Sequence, residues 1–338
     1  MSASHDRAGL RGLLPGLMPV ALVALAASWL SEHYRAPVML FALLLGMAIN
    51  FLSSDARCRA GIDFCSRFLL RAAVALLGMR ITFAQIESLG LGVLLLTVGA
   101  VALTIVAGWA LARSAKLDPT FGLLSGGAVA ICGASAAMAI SAVMRDTPAQ
   151  RRATVVTVIG VTALSTVAMI TYPLVAAAVG LDTRATGIFL GATIHDVAQV
   201  VGAGYSVSTE VGDTATIVKL FRVAMLLPAV LTLSWLPQVR SPESGAGHPR
   251  PPLLPGFLVA FGALVALNSS GYVGPAITGA LQDASRWCLI LAMSALGMKT
   301  VMAELVEVGW KPIAVIFAET LFVGVLVLAS LAFGLAGH

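Results

Sequence analysis

The sequence predicts an all-α polytopic membrane protein, and three observations carry that prediction. Of the 338 residues, 59% are hydrophobic and only 11% charged, with a mean hydropathy of +0.95, values outside those of an ordinary soluble domain. Apolar runs long enough for a membrane helix recur from one end of the chain to the other. The formal net charge of +5 is spread over Arg and Lys residues in the short links between those runs, the placement that membrane topology demands, so nucleic acid is not an expected partner.

A crossing helix needs about 20 apolar residues, which places about nine to eleven transmembrane segments in this chain. They fall at about 13–31, 37–52, 64–79, 89–111, 121–143, 153–179, 186–204, 214–236, 255–268, 283–298 and 312–335. The first follows Arg7 and Arg11, exceeds a usual signal core and shows no convincing cleavage site, so a retained first helix is expected. Residues 237–254 are the one hydrophilic linker, rich in Pro, Gly and Ser. It reads as a loop, and residues 1–338 as a single integral membrane domain.

An internal repeat runs through the chain. SRFLLRAAVALLGMRITFAQIESLG from Ser66 aligns without gaps on SRWCLILAMSALGMKTVMAELVEVG from Ser285, with nine of 25 positions identical, among them Gly78 with Gly297 and Met79 with Met298. The repeat copies extend over about 37–111 and 255–335. In transporters such copies commonly have opposite orientation, with the binding site between them at mid-membrane, and counting crossings makes these two antiparallel.

Two segments depart from plain spans. Residues 121–143 are interrupted at Cys132-Gly133-Ala134-Ser135, which reads as an unwound turn feeding a new helix. The free N–H groups and positive dipole end of that helix make a ready anion site. Ser135 would cap or donate, Gly133 would let a ligand reach the backbone, and the small residues Gly126 and Gly127 suit helix packing equally well. Residues 186–204 carry GATIHDVAQVVGAG, with His195 and Asp196 where aliphatics are expected. An ionisable side chain at that depth costs roughly 2.5–3.5 kcal/mol and marks a functional site by default. Read as one helix, the stretch places His195, Ala198, Gln199 and Gly202 on one face, with Asp196 close to Gln199. Both segments read as broken or re-entrant, since this keeps Arg145, Arg151 and Arg152 inside.

Lys219 and Arg222 begin a later span one turn apart. As isolated cations they would snorkel to the interface, but a buried anionic ligand would also require such charge. Cys58, Cys65, Cys132 and Cys288 form no CxxC pair, and only His195 of the five histidines lies in an apolar span, so neither a disulfide framework nor a metal site is expected, and no cofactor.

CGASAAMAI from Cys132, GATIHDVAQVVGAG from Gly191 and VKLFRVAMLLP from Val218 together resemble the YeiH-type family of bacterial membrane proteins, the sulfate exporter family, over nearly the whole chain. The family usually has Glu after the motif His, where this chain has Asp196. The resemblance implies export of sulfate or a sulfonate-related anion. A likeness to inverted-repeat carriers of the bile acid and anion kind further implies an elevator-like architecture, and such carriers are often homodimers.

The expected function is therefore that of a secondary transporter, not an enzyme, in a bacterial inner membrane. The anion would sit among Cys132, Gly133, Ala134, Ser135, His195, Gln199, Lys219 and Arg222, with His195 and Asp196 carrying a coupled proton, or sodium as the alternative coupling ion. Two rivals stand beside it: an intramembrane thiol enzyme using Cys132 as nucleophile and His195 as base, and a passive anion channel.

Overall fold

The computed structural model describes residues 10–34, 38–145, 147–236, 256–299 and 310–334. The linker 237–254 and the end of the aligned segment from Ser285, residues 300–309, lie outside the described residues. Every regular element among the described residues is helical. In chain order they are α1 (Leu10–Tyr34), α2 (Val38–Ala48), α3 (Ala56–Asp63), α4 (Leu70–Leu76), α5 (Phe83–Ser88), α6 (Gly90–Ser114), α7 (Pro119–Ala130), α8 (Ala134–Ser141), α9 (Pro148–Val179), α10 (Thr183–Thr193), α11 (Val197–Val207), α12 (Thr209–Ala224), α13 (Leu226–Ser234), α14 (Gly256–Ser269), α15 (Pro275–Lys299) and α16 (Trp310–Ala332).

Five stretches are long and apolar enough to cross a membrane: Gly12–Tyr34, Gly90–Ser114, Pro148–Val179, Thr209–Ser234 and Trp310–Ala332. Each keeps a large share of apolar side chains on its outer surface, such as Leu22, Leu95, Leu174, Leu231 and Val325. A soluble protein would bury that surface; here lipid is its solvent.

Helix starts follow local chemistry. Asp118 Oδ1 accepts from Thr120 N at 2.9 Å ahead of α7, Thr147 Oγ1 from Gln150 N at 3.1 Å ahead of α9, and Asp182 Oδ1 from Ala185 N at 2.7 Å ahead of α10. Pro119 and Pro148 occupy first-turn positions, where the missing N–H has no intrahelical partner to lose.

The chain divides into two compact units. The first comprises Met1–Gln85, Tyr205–Val207 and Phe257–Val301. Its helices pack backbone to backbone through glycines. A Cβ on Gly297 of α15 would lie 2.3 Å from Leu43 O and 3.0 Å from Gly46 Cα of α2, and one on Gly78 would lie 2.5 Å from Phe261 O of α14. The two LGM glycines thus rest on different helices, each the one that precedes the other glycine's segment. Ser285 Oγ donates to Ala73 O at 2.9 Å, and Met79 and Met298 are fully buried. The segment 64–79, expected as one span, is a π turn over Phe64–Leu69, then α4, then a 3₁₀ turn over Leu77–Met79.

The second unit comprises Ile86–Gly204, Ser208–Gly256 and Met302–His338. Here α6 and α7 approach so closely that a Cβ on Gly122 would lie 2.1 Å from Gly108 O. Gly126 abuts Thr104 O and Ile105 of α6, and Gly127 abuts Ile140 of α8, so both serve helix packing. Gly191 and Gly187 do the same against Ala215 and Thr214 of α12.

Candidate functional site

Both expected interruptions are present, and both lie in the second unit. Helix α7 ends at Ala130, and Gly133 then adopts φ 64, ψ −128 before α8 begins. That backbone region is essentially closed to side chains with a Cβ. Helix α10 ends at Thr193, Ile194 turns extended at ψ 136, and Asp196 caps α11, accepting from Ala198 N at 2.8 Å. None of these four pieces, of 12, 8, 11 and 11 residues, spans the roughly 30 Å of a hydrocarbon core alone.

The interruptions meet. A Cβ on Gly133 would lie 3.7 Å from His195 Cβ and 3.9 Å from the His195 carbonyl carbon. Non-helical backbone leaves carbonyls without intrahelical partners, and inside an apolar unit each must be satisfied. Lys219 and Arg222 of α12 supply the donors. Lys219 Nζ donates to Ile131 O at 2.7 Å and Ile194 O at 2.9 Å, one carbonyl from each break. Arg222 donates to Ala130 O (2.8 Å from Nε), Gly191 O and Ile194 O (3.2 Å from Nη1) and Val129 O (2.9 Å from Nη2). The two cations are 0% and 1% exposed. Neither snorkels: they cap the negative ends of α7 and α10, the placement the helix dipole favours for positive charge.

His195, 0% exposed, has Nδ1 3.2 Å from Val129 O and Nε2 3.0 Å from Thr320 Oγ1 of α16. The Val129 carbonyl thus accepts from both His195 and Arg222, using both lone pairs. The reading of 186–204 as one helix with a polar face is corrected here. Because the chain leaves the helical path at Ile194–Asp196, His195 faces α7 and α16, whereas Gln199 turns to α9 and donates through Nε2 to Thr166 Oγ1 at 2.9 Å. Gln199 Oε1 has no partner among the described residues. Asp196 N donates to Ser165 Oγ at 3.1 Å.

The two N-terminal half-helix ends differ. Asp196 occupies that of α11, while α8 starts at Gly133 with no side-chain cap. Around these ends Ser135 is exposed, Ala134, Asp196 and Val197 are half-buried, and Cys132 is buried. An uncapped positive end beside an accessible hydroxyl suits an anion, with the Ala134 and Ser135 N–H groups as donors.

Sequence reasoning missed three buried polar residues beside the site: Thr320, which contacts His195, and Ser125 and above all Glu319. Glu319 is the sole acid of the apolar run Trp310–Ala332, a signal that could have found it. It is fully buried, and its Oε1 accepts from Ser125 Oγ at 2.7 Å.

Gly133→Ala is expected to destabilise the protein by about 1–3 kcal/mol, the cost of forcing a Cβ into that backbone region. Gly127→Ala is the control, because its Cβ meets only the flexible end of Ile140. Thermal unfolding in detergent should separate the two, and equal melting temperatures would dismiss the strained turn.

Proteins of known sequence place the chain. It is 54% identical to a UPF0324 membrane protein of Chlorobaculum tepidum over 317 residues, 94% of this chain and 88% of the relative. It is 51% identical to one of Rhizobium meliloti over 94% of this chain and 92% of that relative, and 49% identical to the UPF0324 membrane protein TauZ of Paracoccus pantotrophus over 95% and 96%. No solved structure matches. Residues 15–316 match the family described as conserved hypothetical protein 698, and the chain belongs to that family of membrane proteins.

Proposed function

We propose that the protein is a secondary transporter of a small anion, sulfate or a sulfonate-related compound, coupled to proton movement by alternating access in a bacterial inner membrane. One observation carries the reading: two interrupted helices meet at their breaks inside an apolar unit, with Gly133 against His195. Broken helices whose free ends face one another at mid-membrane are how secondary carriers hold charged cargo without a permanent aqueous pore. With Lys219 and Arg222 engaged by the carbonyl ends, the positive end of α8 is left for a ligand, and Ser135 supplies a hydroxyl beside it.

Asp196 gives the coupling a physical reason. Its carboxylate caps the neighbouring half-helix, so a nearby anion is repelled until Asp196 or His195 takes up a proton. The reciprocal seating of Gly78 on α14 and Gly297 on α2 supports a duplicated chain, and with it about nine to eleven crossings and an elevator-like arrangement. The thiol-enzyme alternative needs imidazole hydrogen-bonded to Cys132, whereas both ring nitrogens of His195 engage other groups.

The test is a thermal-shift screen of purified protein against sulfate, sulfite, sulfonates and carboxylates, followed by flux in proteoliposomes under an imposed pH gradient. An anion at 100 times its Kd adds about 2.7 kcal/mol to apparent stability, a shift that a melting curve resolves. If no anion moves the melting temperature and none crosses the liposome faster than through empty vesicles, the transporter reading fails.

A further inference from the structure

Glu319 is the buried acid that the site as described leaves unused. It is 0% exposed at the middle of α16. A Cβ on Gly108 would lie 2.6 Å from Glu319 Oε1 and 2.5 Å from Gly122 O, so the carboxyl lies beside Gly108, where α6 and α7 come together. Oε1 accepts from Ser125 Oγ. Oε2 has no partner among the described residues, and neither does the Oγ1 of Thr104, one turn before Gly108 on the same face of α6.

Among the described residues no positive charge answers this carboxyl. Helix α7, which holds Ser125, carries no ionisable side chain. Helix α6 carries Arg113 alone, stacked over Trp109 at 5.6 Å in its last turn. Helix α10 offers Arg184, bonded to Leu89 O at 2.9 Å. Helix α9 begins with Arg151 and Arg152 and later offers Tyr172, whose hydroxyl reaches Thr320 O at 3.5 Å. On α16 itself the other charge is Lys311, in the first turn. His195 contacts the adjacent Thr320, and Lys219 and Arg222 are spent on the carbonyls of the two breaks. A carboxylate has about four acceptor sites, of which one is filled here, and an ionised acid without a counter-charge in such a place is costly. A protonated acid is not, since the neutral carboxyl carries no charge to be answered.

We infer that Glu319 is a proton-binding site, a carboxyl that holds its proton in the conformation described and gives it up when the α6–α7 seam opens during transport. The inference rests on the proton-coupled reading, and it adds a second proton carrier to it. Glu319 and Thr320 are consecutive, so one turn of α16 joins this carboxyl to the imidazole of His195. A metal ion is the weaker occupant: among the described residues no group of three or more His, Cys, Asp or Glu side chains is placed to hold one, whereas a hard cation takes six or more oxygens.

Infrared difference spectroscopy of the purified full chain in lipid, stepped between acid and alkaline pH, tests it without any transported anion. The wild type should show a protonated-carboxyl C=O stretch that Glu319→Gln removes and Ser125→Ala shifts, the latter because one hydrogen bond to Oε1 is lost. In proteoliposomes Glu319→Gln should lower the number of protons moved per anion. Absence of a carboxyl band that depends on Glu319, in wild-type protein that still transports an anion, overturns the inference and leaves the transporter reading standing. A Glu319-dependent band in protein that moves no anion has the opposite meaning.

Discussion

Arg222→Met is expected to destabilise the protein by about 4 kcal/mol, taking about 1–3 kcal/mol for each buried carbonyl left without a donor. The guanidinium serves four carbonyls, at Val129, Ala130, Gly191 and Ile194. Two of these keep a second donor after the substitution, Val129 from His195 and Ile194 from Lys219, but Ala130 and Gly191 lose theirs. Met fills much of the volume, so the loss is polar rather than a cavity. Arg222→Lys should recover less than half, because one ammonium cannot reproduce a planar fork spanning two helix ends. Equilibrium unfolding in detergent measures both, and a Met variant within about 1 kcal/mol of wild type would refute the capping role, since two orphaned carbonyls cost at least about 2 kcal/mol.

The second large effect is on transport. His195→Ala should reduce proton-driven anion flux to background while the protein remains folded, because the imidazole is positioned for both protonation states. The Val129 carbonyl can only accept, which fixes a proton on Nδ1 and leaves Nε2 as the exchanging nitrogen. When His195 is neutral, the Thr320 hydroxyl donates to Nε2; when it is charged, Nε2–H donates to Thr320 Oγ1, and the hydroxyl turns to Ile316 O, 2.8 Å away. Thr320→Val removes that two-way partner and should displace the pH dependence of flux without abolishing it. Flux in His195→Ala that keeps the wild-type pH profile would remove the imidazole from the coupling.

Much of this centre was legible in the sequence, for identifiable reasons. The break at Cys132–Ser135 announces itself because Gly133 interrupts an otherwise uniform apolar run, and His195-Asp196 because two ionisable groups there are costly. Their juxtaposition followed from pairing the only two such segments. What was illegible had its partners in the main chain. Lys219 and Arg222 read as ligands or interfacial anchors, since nothing in a string of letters marks the carbonyls of Ala130, Ile131 or Ile194 as needing donors; only the departure from helical geometry creates that need. The polar face joining His195 to Gln199 failed for the same reason, as it assumed helical periodicity across the residues where it stops. Glu319 stands alone, one acid in a run of aliphatics, and its partner Ser125 lies 194 residues away in the chain, so no local motif marks it.

The donor network around the two breaks has a consequence for which substitutions the protein can absorb. Its acceptors are peptide groups, which no change of side chain can delete, so Val129, Ala130, Ile131 and Ile194 can exchange among apolar residues of similar bulk with the wiring intact. Gly191 is the exception, held by its contact with Ala215 O rather than by its own carbonyl. The side-chain identities that this donor network requires therefore sit on the donor side, in Lys219, Arg222 and His195, and a saturation library should find a sharp contrast in tolerance between those three positions and the apolar residues whose carbonyls they serve.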